Sequence, residues 1–114
     1  MSASCPFCRI VSGEASARIV YQDDDLTAFH DANPQAPVHL LIVPNRHIEG
    51  ISVVEPGDEP VLGKLFTVAR QLGEEFELGE GYRVVVNNGR QAGQSVSHLH
   101  MHLLGGRRLS WPPG

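Results

Sequence analysis

Histidine and large apolar residues alternate without a break from His98 through Leu99, His100, Met101 and His102 to Leu103, inside the apolar run Val96 to Leu104. Only an extended backbone turns such an alternation into two chemically distinct faces, because strand side chains point to opposite sides with period 2. The spacing predicts a β-strand over this run with three imidazoles in a row on one face. Three neutral imidazoles side by side suit nucleophilic or proton-transfer chemistry on a charged group, metal ligation or pH sensing. A lone histidine reads as a hydrogen-bonded core residue, whereas three of the chain's six at strict alternation read as a site.

At 114 residues the chain is long enough to close one hydrophobic core without disulfide staples, and a single domain over 1–114 is expected. No apolar run approaches the roughly 20 residues of a membrane span, so no membrane role is expected. Met1 to Cys8 lack a basic stretch followed by an apolar segment, which points to a cytoplasmic protein without a secretory leader. A formal net charge of −4, with Asp23, Asp24 and Asp25 clustered, argues against a polynucleotide partner. A single nucleotide is compatible with that charge, because one small pocket needs only local donors.

Cys5 to Ser12 reads as one or two helical turns, with Pro6 at the first helical position and Gly13 as the stop. Arg18 to Gln22 and Leu26 to His30 are β-rich runs around the Asp23 to Asp25 turn, a hairpin. Asn33, Pro34 and Pro37 mark a loop before His39 to Val43, an aliphatic third strand expected at the centre of its sheet and ended by Pro44. Gly57 and Pro60 bracket the start of a long helix. Its apolar positions Val61, Leu62, Leu65, Phe66, Ala69, Leu72 and Phe76 recur at helical spacing as a core stripe, and Leu78 and Gly79 close it. Tyr82 to Val86 is a fourth strand, and Asn88 to Gln94 is a polar, glycine-containing loop into the histidine strand. This order predicts an α+β domain. An antiparallel sheet of about five strands is covered on one side by the long helix, and the histidine row lies on the other side or at one end.

The histidine row, followed by Leu103-Leu104-Gly105-Gly106, resembles the signature of the histidine triad (HIT) family. The likeness extends over nearly the whole chain. It includes Gly93-Gln94-Ser95-Val96, Asn87, Phe29-His30-Asp31, His39 ahead of Leu40-Leu41-Ile42-Val43-Pro44, and the terminal Trp111-Pro112-Pro113-Gly114. Together these resemble the Hint branch, purine nucleotide-binding proteins with nucleoside phosphoramidase activity; Ser97 stands where that branch often carries an aromatic residue.

The resemblance implies a HIT-like fold with a short N-terminal helix, and hydrolysis of a P–N or acyl–phosphate bond in a purine nucleoside phosphoramidate with no cofactor for catalysis. The middle histidine, His100, would attack phosphorus and carry the nucleotidyl group. Such attack requires that the other ring nitrogen hold its proton, typically against a backbone carbonyl. His39 and His102 would flank the phosphate with hydrogen bonds or a proton, and His98 completes the row. Asn87, Ser95 and the backbone around Gly93 and Gln94 would hold phosphate oxygens. Asp31 would take the ribose hydroxyls, and Phe7, Ile10 and Phe29, with Ala32 beside them, the base. On the residues alone, the aromatic and aliphatic positions fit a core equally well and Asp31 fits a turn. The family also implies a homodimer with joined sheets, in which the tail 105–114 brings Trp111 near the partner's site.

Cys5 and Cys8 form a C-x-x-C in a chain with no other cysteine, and a cytosolic setting disfavours a structural disulfide. A structural zinc needs four ligands, of which this motif supplies two. Some bacterial members of the family complete such a site with histidines that match His47 and His98. The alternative is two buried thiols with His47 on the surface. Two other functions stay open on sequence: a tri-histidine metal centre at His98, His100 and His102, and a nucleotide-binding regulatory module with incidental hydrolysis.

Overall fold

The structure, a computed structural model, describes residues 4–114, so the reading of Met1 to Cys8 as leader-free falls partly outside it. The first element, α1 (Pro6–Ser12), starts as its sequence dictates. Cys5 is the N-cap, its Sγ accepting the Cys8 amide at 3.4 Å, Pro6 opens the helix, and Gly13 ends it in the left-handed region. The hairpin β1 (Ile19–Gln22) and β2 (Leu26–His30) follows. Its turn is closed by Asp23 Oδ1, which accepts the amides of Asp25 and Leu26 at 2.8 and 2.9 Å.

β3 (Val38–Pro44), α2 (Glu59–Glu75), β4 (Tyr82–Val85) and β5 (Met101–Gly105) complete the domain. The five strands form one antiparallel sheet in the order β1-β2-β3-β5-β4, so the aliphatic β3 is central as expected. None of the helices among the described residues is long and apolar enough to cross a membrane.

α2 covers one face, packing Leu65, Val68, Ala69 and Leu72 on Leu26, Ala28, Leu40, Ile42, Met101 and Leu103. Each fully buried leucine of such a layer stabilises the fold by about 2 kcal/mol. Lys64 ties the helix to the hairpin turn through Asp23 and Asp25, at 2.7 and 3.0 Å. Two details of the helix differ from the sequence reading. Phe66 is 61% exposed rather than part of the stripe, because it lies about 100° round the helix from Leu65, and Val68 takes its place in the core. The helix also closes earlier than Gly79, with Glu77 in the left-handed region at φ 59° and the Leu78 amide bonded back to Gly73 at 2.8 Å.

The expected strand from Val96 to Leu104 is shorter than its alternation suggested. β5 begins only at Met101, because residues 96–100 leave the sheet to meet the chain beyond β3, where the Leu99 amide donates to the Ile48 carbonyl at 2.7 Å. The two-sidedness of the alternation survives this bend: Leu99, Met101 and Leu103 join the α2-side core, while all three imidazoles lie on the opposite side, where α1 packs. There Phe7 meets Phe29, Leu41 and Val43, leaving the rest of that face uncovered by the long helix.

Candidate active site

Strand register assembles the floor of a cleft on the α1 face. Phe29 pairs with Leu41 and Leu41 with His102, so three neighbouring strands present these side chains in one row. The cleft encloses about 580 Å³ and is walled by Phe7 and Ile10 from α1, Asp31 and Ala32 beyond β2, Ser95 and Val96, and His100 beside His102. Phe7 stands edge-on to Phe29 at 5.4 Å and to His100 at 5.1 Å between ring centroids, so one aromatic residue joins the apolar half to the histidine half. The residues expected to receive a base and a ribose therefore share one cavity with His100, His102 and Ser95, while His39 stands behind His102 and does not line it.

The ring nitrogens can be assigned from their partners. His100 Nδ1 donates to the His98 carbonyl at 2.7 Å, so the proton of neutral His100 is on Nδ1 and Nε2 keeps its lone pair. This is the acceptor that nucleophilic attack by His100 requires. His39 Nδ1 accepts the Gln35 amide at 3.0 Å, which puts its proton on Nε2, and His39 Nε2 then donates to His102 Nδ1 at 2.9 Å. His102 in turn carries its proton on Nε2. Next to each other, with ring centroids 5.0 Å apart, stand one imidazole with a free lone pair and one with a free N–H.

Charge is kept off His102 and His39. Burial, followed by the neighbouring His100 and His39, pushes His102 down to about 4 against the opposing pull of Asp31. Burial also lowers His39, with Asp31 opposing. Asp31 Oδ2 stands 3.4 Å from His39 Nε2 while its Oδ1 accepts the Asn33 amide at 2.8 Å, so the carboxylate shapes the turn and faces the histidines at once.

His98 lies at a separate end. Its Nε2 donates to the Pro44 carbonyl at 2.8 Å, and its Nδ1 faces Cys5 Sγ at 3.4 Å and Cys8 Sγ at 3.7 Å. His47 Nδ1 lies 3.3 Å from Cys8 Sγ, and the four ligand atoms fall within 4.8 Å of one another. A tetrahedral zinc with sulfur and nitrogen ligands has S···N edges of about 3.6 Å, so this set can close around such an ion with little movement. The bond to Pro44 fixes the His98 tautomer as a ligating imidazole needs.

Both nitrogens of His98 are engaged away from the cleft, an arrangement that suits a metal ligand better than a group acting on a substrate there. The same geometry rules out a tri-histidine centre, because Nδ1 of His98, His100 and His102 point at sulfur, a carbonyl and His39 respectively. Asp31, His39 and His102 also cluster within 4.8 Å. A metal on His39 Nε2 would move the proton to Nδ1, against the Gln35 N–H, so that group is a poor cage.

Ser95 lines the cleft, whereas Asn87, Gly93 and Gln94 do not. The Gln94 side chain is spent on the loop itself: Oε1 accepts the Gly89 amide at 2.8 Å, and Nε2 donates to the carbonyls of Glu49 and Val96 at 2.8 and 3.0 Å. Gly50 allows this closure, since a Cβ there would stand 2.7 Å from Asn88 Oδ1. Trp111 is 80% exposed with Arg83 over its ring, and it does not line its own chain's cleft. Sequence reasoning missed Arg18 on the cleft wall and the backbone groups of Gln35, Pro44 and His98 that set the ring tautomers. No side-chain pattern announces a backbone partner.

Known proteins resemble this chain in sequence and in fold. The sequence pattern of the HIT domain family matches residues 12–109. An uncharacterized HIT-like protein of Synechocystis is 45% identical over 114 residues, covering both chains completely. The crystal structure of a HIT family hydrolase from Legionella pneumophila superposes with a TM-score of 0.95 at 46% identity, covering 97% of this chain and all of the other. A histidine triad nucleotide-binding protein from Candida albicans gives 0.82 at 31% identity, over 96% of this chain and 83% of its own. With its signature histidines, sheet order and cleft all in place, the chain belongs to the HIT domain family.

Proposed function

We propose that the protein is a purine nucleoside phosphoramidase of the Hint branch, hydrolysing the P–N or acyl–phosphate bond of a nucleoside monophosphate derivative through a nucleotidyl-His100 intermediate. The observation that carries this reading is the His100 ring itself, whose proton is held on the His98 carbonyl while Nε2 is free beside the N–H of His102. The hydrolase name of the Legionella relative and the nucleotide-binding name of the Candida relative support it.

In this reading His100 Nε2 forms a bond to phosphorus as the P–N bond breaks, and the amine departs with a proton taken up from solvent, because loss of the single proton of neutral His102 would leave an imidazolate. The His102 Nε2–H, backed by the His39 Nε2–H on its Nδ1, donates a hydrogen bond to the phosphoryl group as charge develops there. Water then attacks phosphorus, the P–Nε2 bond to His100 breaks, His100 regains its lone pair, and the proton of the water leaves to solvent. Phe7, Phe29, Ile10 and Ala32 take the base, Asp31 the ribose, and Ser95 a phosphate oxygen, with Asn87 and the Gly93 and Gln94 backbone approaching on binding. Cys5, Cys8, His47 and His98 hold a structural zinc that fixes α1 to the chain after β3 and takes no part in bond breaking. The protein works as a homodimer with the tail and Trp111 near the partner's cleft.

Hydrolysis of adenosine 5′-phosphoramidate by wild type and His100→Ala, with and without chelator, tests the reading. Chelator-resistant turnover that disappears in the variant is the expected result. Turnover that survives His100→Ala, or none from folded wild-type protein, overturns it and favours a binding module.

A further inference from the structure

The lone pair of His39 Nδ1 faces the Gln35 amide, and that amide belongs to an exposed loop between β2 and β3. A loop is a poor place from which to dictate a tautomer unless something holds it. Two anchors do. From within the loop, Asp31 Oδ1 accepts the Asn33 amide at 2.8 Å and Gln35 Nε2 donates to the Asn33 carbonyl at 3.0 Å.

From outside, Arg107 converges on the Gln35 carbonyl with two guanidinium donors, Nη2 at 3.0 Å and Nε at 3.3 Å, and its Nη1 is braced on the Arg108 carbonyl at 2.9 Å. The chain reaches this position through Gly106. That residue has φ +91°, and a Cβ on it would stand 3.0 Å from Pro37 Cβ, so only glycine turns the end of β5 so tightly against the loop.

We propose that Arg107 is a positioning residue: by clamping Gln35 it keeps that amide on His39 Nδ1, which fixes His39 with its proton on Nε2 and thereby presents His102 to the cleft as an N–H donor. The relay runs from the Arg107 guanidinium to the Gln35 carbonyl, then from the Gln35 N–H to His39 and from His39 to His102. Its last atom faces the reacting group, although Arg107 itself is exposed and does not line the cleft.

Without the clamp the loop relaxes, His39 loses its donor, and a ring flip or proton exchange lets its proton reside on Nδ1. His102 Nδ1 then has to donate to His39 Nε2, and the Nε2 of His102 faces the substrate with a lone pair beside that of His100. Arginine suits the task because its planar fork offers several donors in fixed directions.

The catalytic consequence rests on the phosphoramidase reading, but the tautomer does not, and the experiment separates them. Long-range ¹H–¹⁵N correlation spectra of the histidine rings distinguish protonated from lone-pair nitrogens in folded protein. Wild type is expected to show His39 and His102 protonated on Nε2 and His100 on Nδ1. Arg107→Ala should shift the His39 and His102 signals towards mixed tautomers and leave His100 unchanged. In phosphoramidate turnover it should lower kcat about tenfold with KM within about twofold, and Arg107→Lys, which offers one flexible ammonium in place of the fork, should recover only part of both signatures.

A wild-type His39 protonated on Nδ1, or an Arg107→Ala protein whose His39 tautomer is unmoved, overturns the proposal whatever the activity does. The expected tautomers and their shift, with no turnover in wild type, uphold the clamp and sink the phosphoramidase reading instead.

Discussion

His98 and His100 are two residues apart on one side of the chain, yet they sit in opposite chemical surroundings. His98 turns a lone pair towards two sulfurs and anchors its other nitrogen on Pro44, whereas His100 anchors Nδ1 on a backbone carbonyl and turns its lone pair into the cleft. What separates the proposed ligand from the proposed nucleophile is which backbone group each ring meets. The two ends are physically joined, because the carbonyl that orders His100 is that of His98. The comparison yields expectations that differ in kind: the cleft end governs rate, the cysteine end governs stability, and their single shared peptide limits how far one disturbs the other.

The largest effect belongs to the cleft. His100→Ala is expected to lower turnover by about 10⁴-fold while metal content stays at the wild-type value. Steady-state kinetics with elemental analysis checks this, and a variant that also lost metal would break the separation between the two ends.

At the other end, if the proposed zinc site is filled, His98→Ala removes one of its ligands and should cost on the order of 3 kcal/mol, lowering Tm by about 10–15 °C with loss of the metal. Calorimetry of protein prepared with and without zinc measures it. Turnover at a temperature where the variant is folded should fall far less than in His100→Ala, since any residue at 98 still supplies the carbonyl.

Acid gives a further test of the cleft end. His102 has a folded-state value of about 4 against an ordinary 6.5, so the folded protein refuses a proton that the unfolded chain accepts. Its contribution is fully present above pH 6.5 and is lost as pH falls towards 4, amounting to about 3 kcal/mol. Denaturant unfolding of wild type and His102→Gln across that window should show a shallower acid slope in the variant, and parallel slopes would contradict the assignment.

The smallest effect concerns the loop that touches both ends. Gln94 bonds to Glu49, two residues from the ligand His47, and closes the loop that carries Ser95 to the cleft. Gln94→Leu should cost about 1 kcal/mol of stability and raise KM several-fold with little change in kcat.

Much of this architecture was legible because it rests on side-chain periodicity. The alternation of Leu99, Met101 and Leu103 with histidine sorted the two faces correctly, and the aliphatic run from Leu40 to Val43 marked the central strand. Periodicity misled where the backbone has a stronger partner than its sheet neighbour. Residues 96–100 obey the strand pattern but bond to Ile48, and Phe66 obeys the helical pattern from the edge of the stripe. The candidate site residues came from resemblance, whereas the groups that set their ring tautomers are the carbonyls of Pro44 and His98 and the amide of Gln35. Every residue owns such groups, so only the folded chain says which ones matter.

The double duty of residue 98 has an outcome for how such a protein can change over time. Its side chain serves the cysteine end and its main chain serves the nucleophile, so the two obligations are inherited separately. A lineage could exchange Cys5, Cys8 and His47 together for an apolar plug, and residue 98 for whatever packs against it, without altering the atom that orders His100. Single exchanges within the quartet would strand a buried thiol or imidazole and be selected against, which makes the cysteine end a module replaced whole or kept whole on an unchanged catalytic frame.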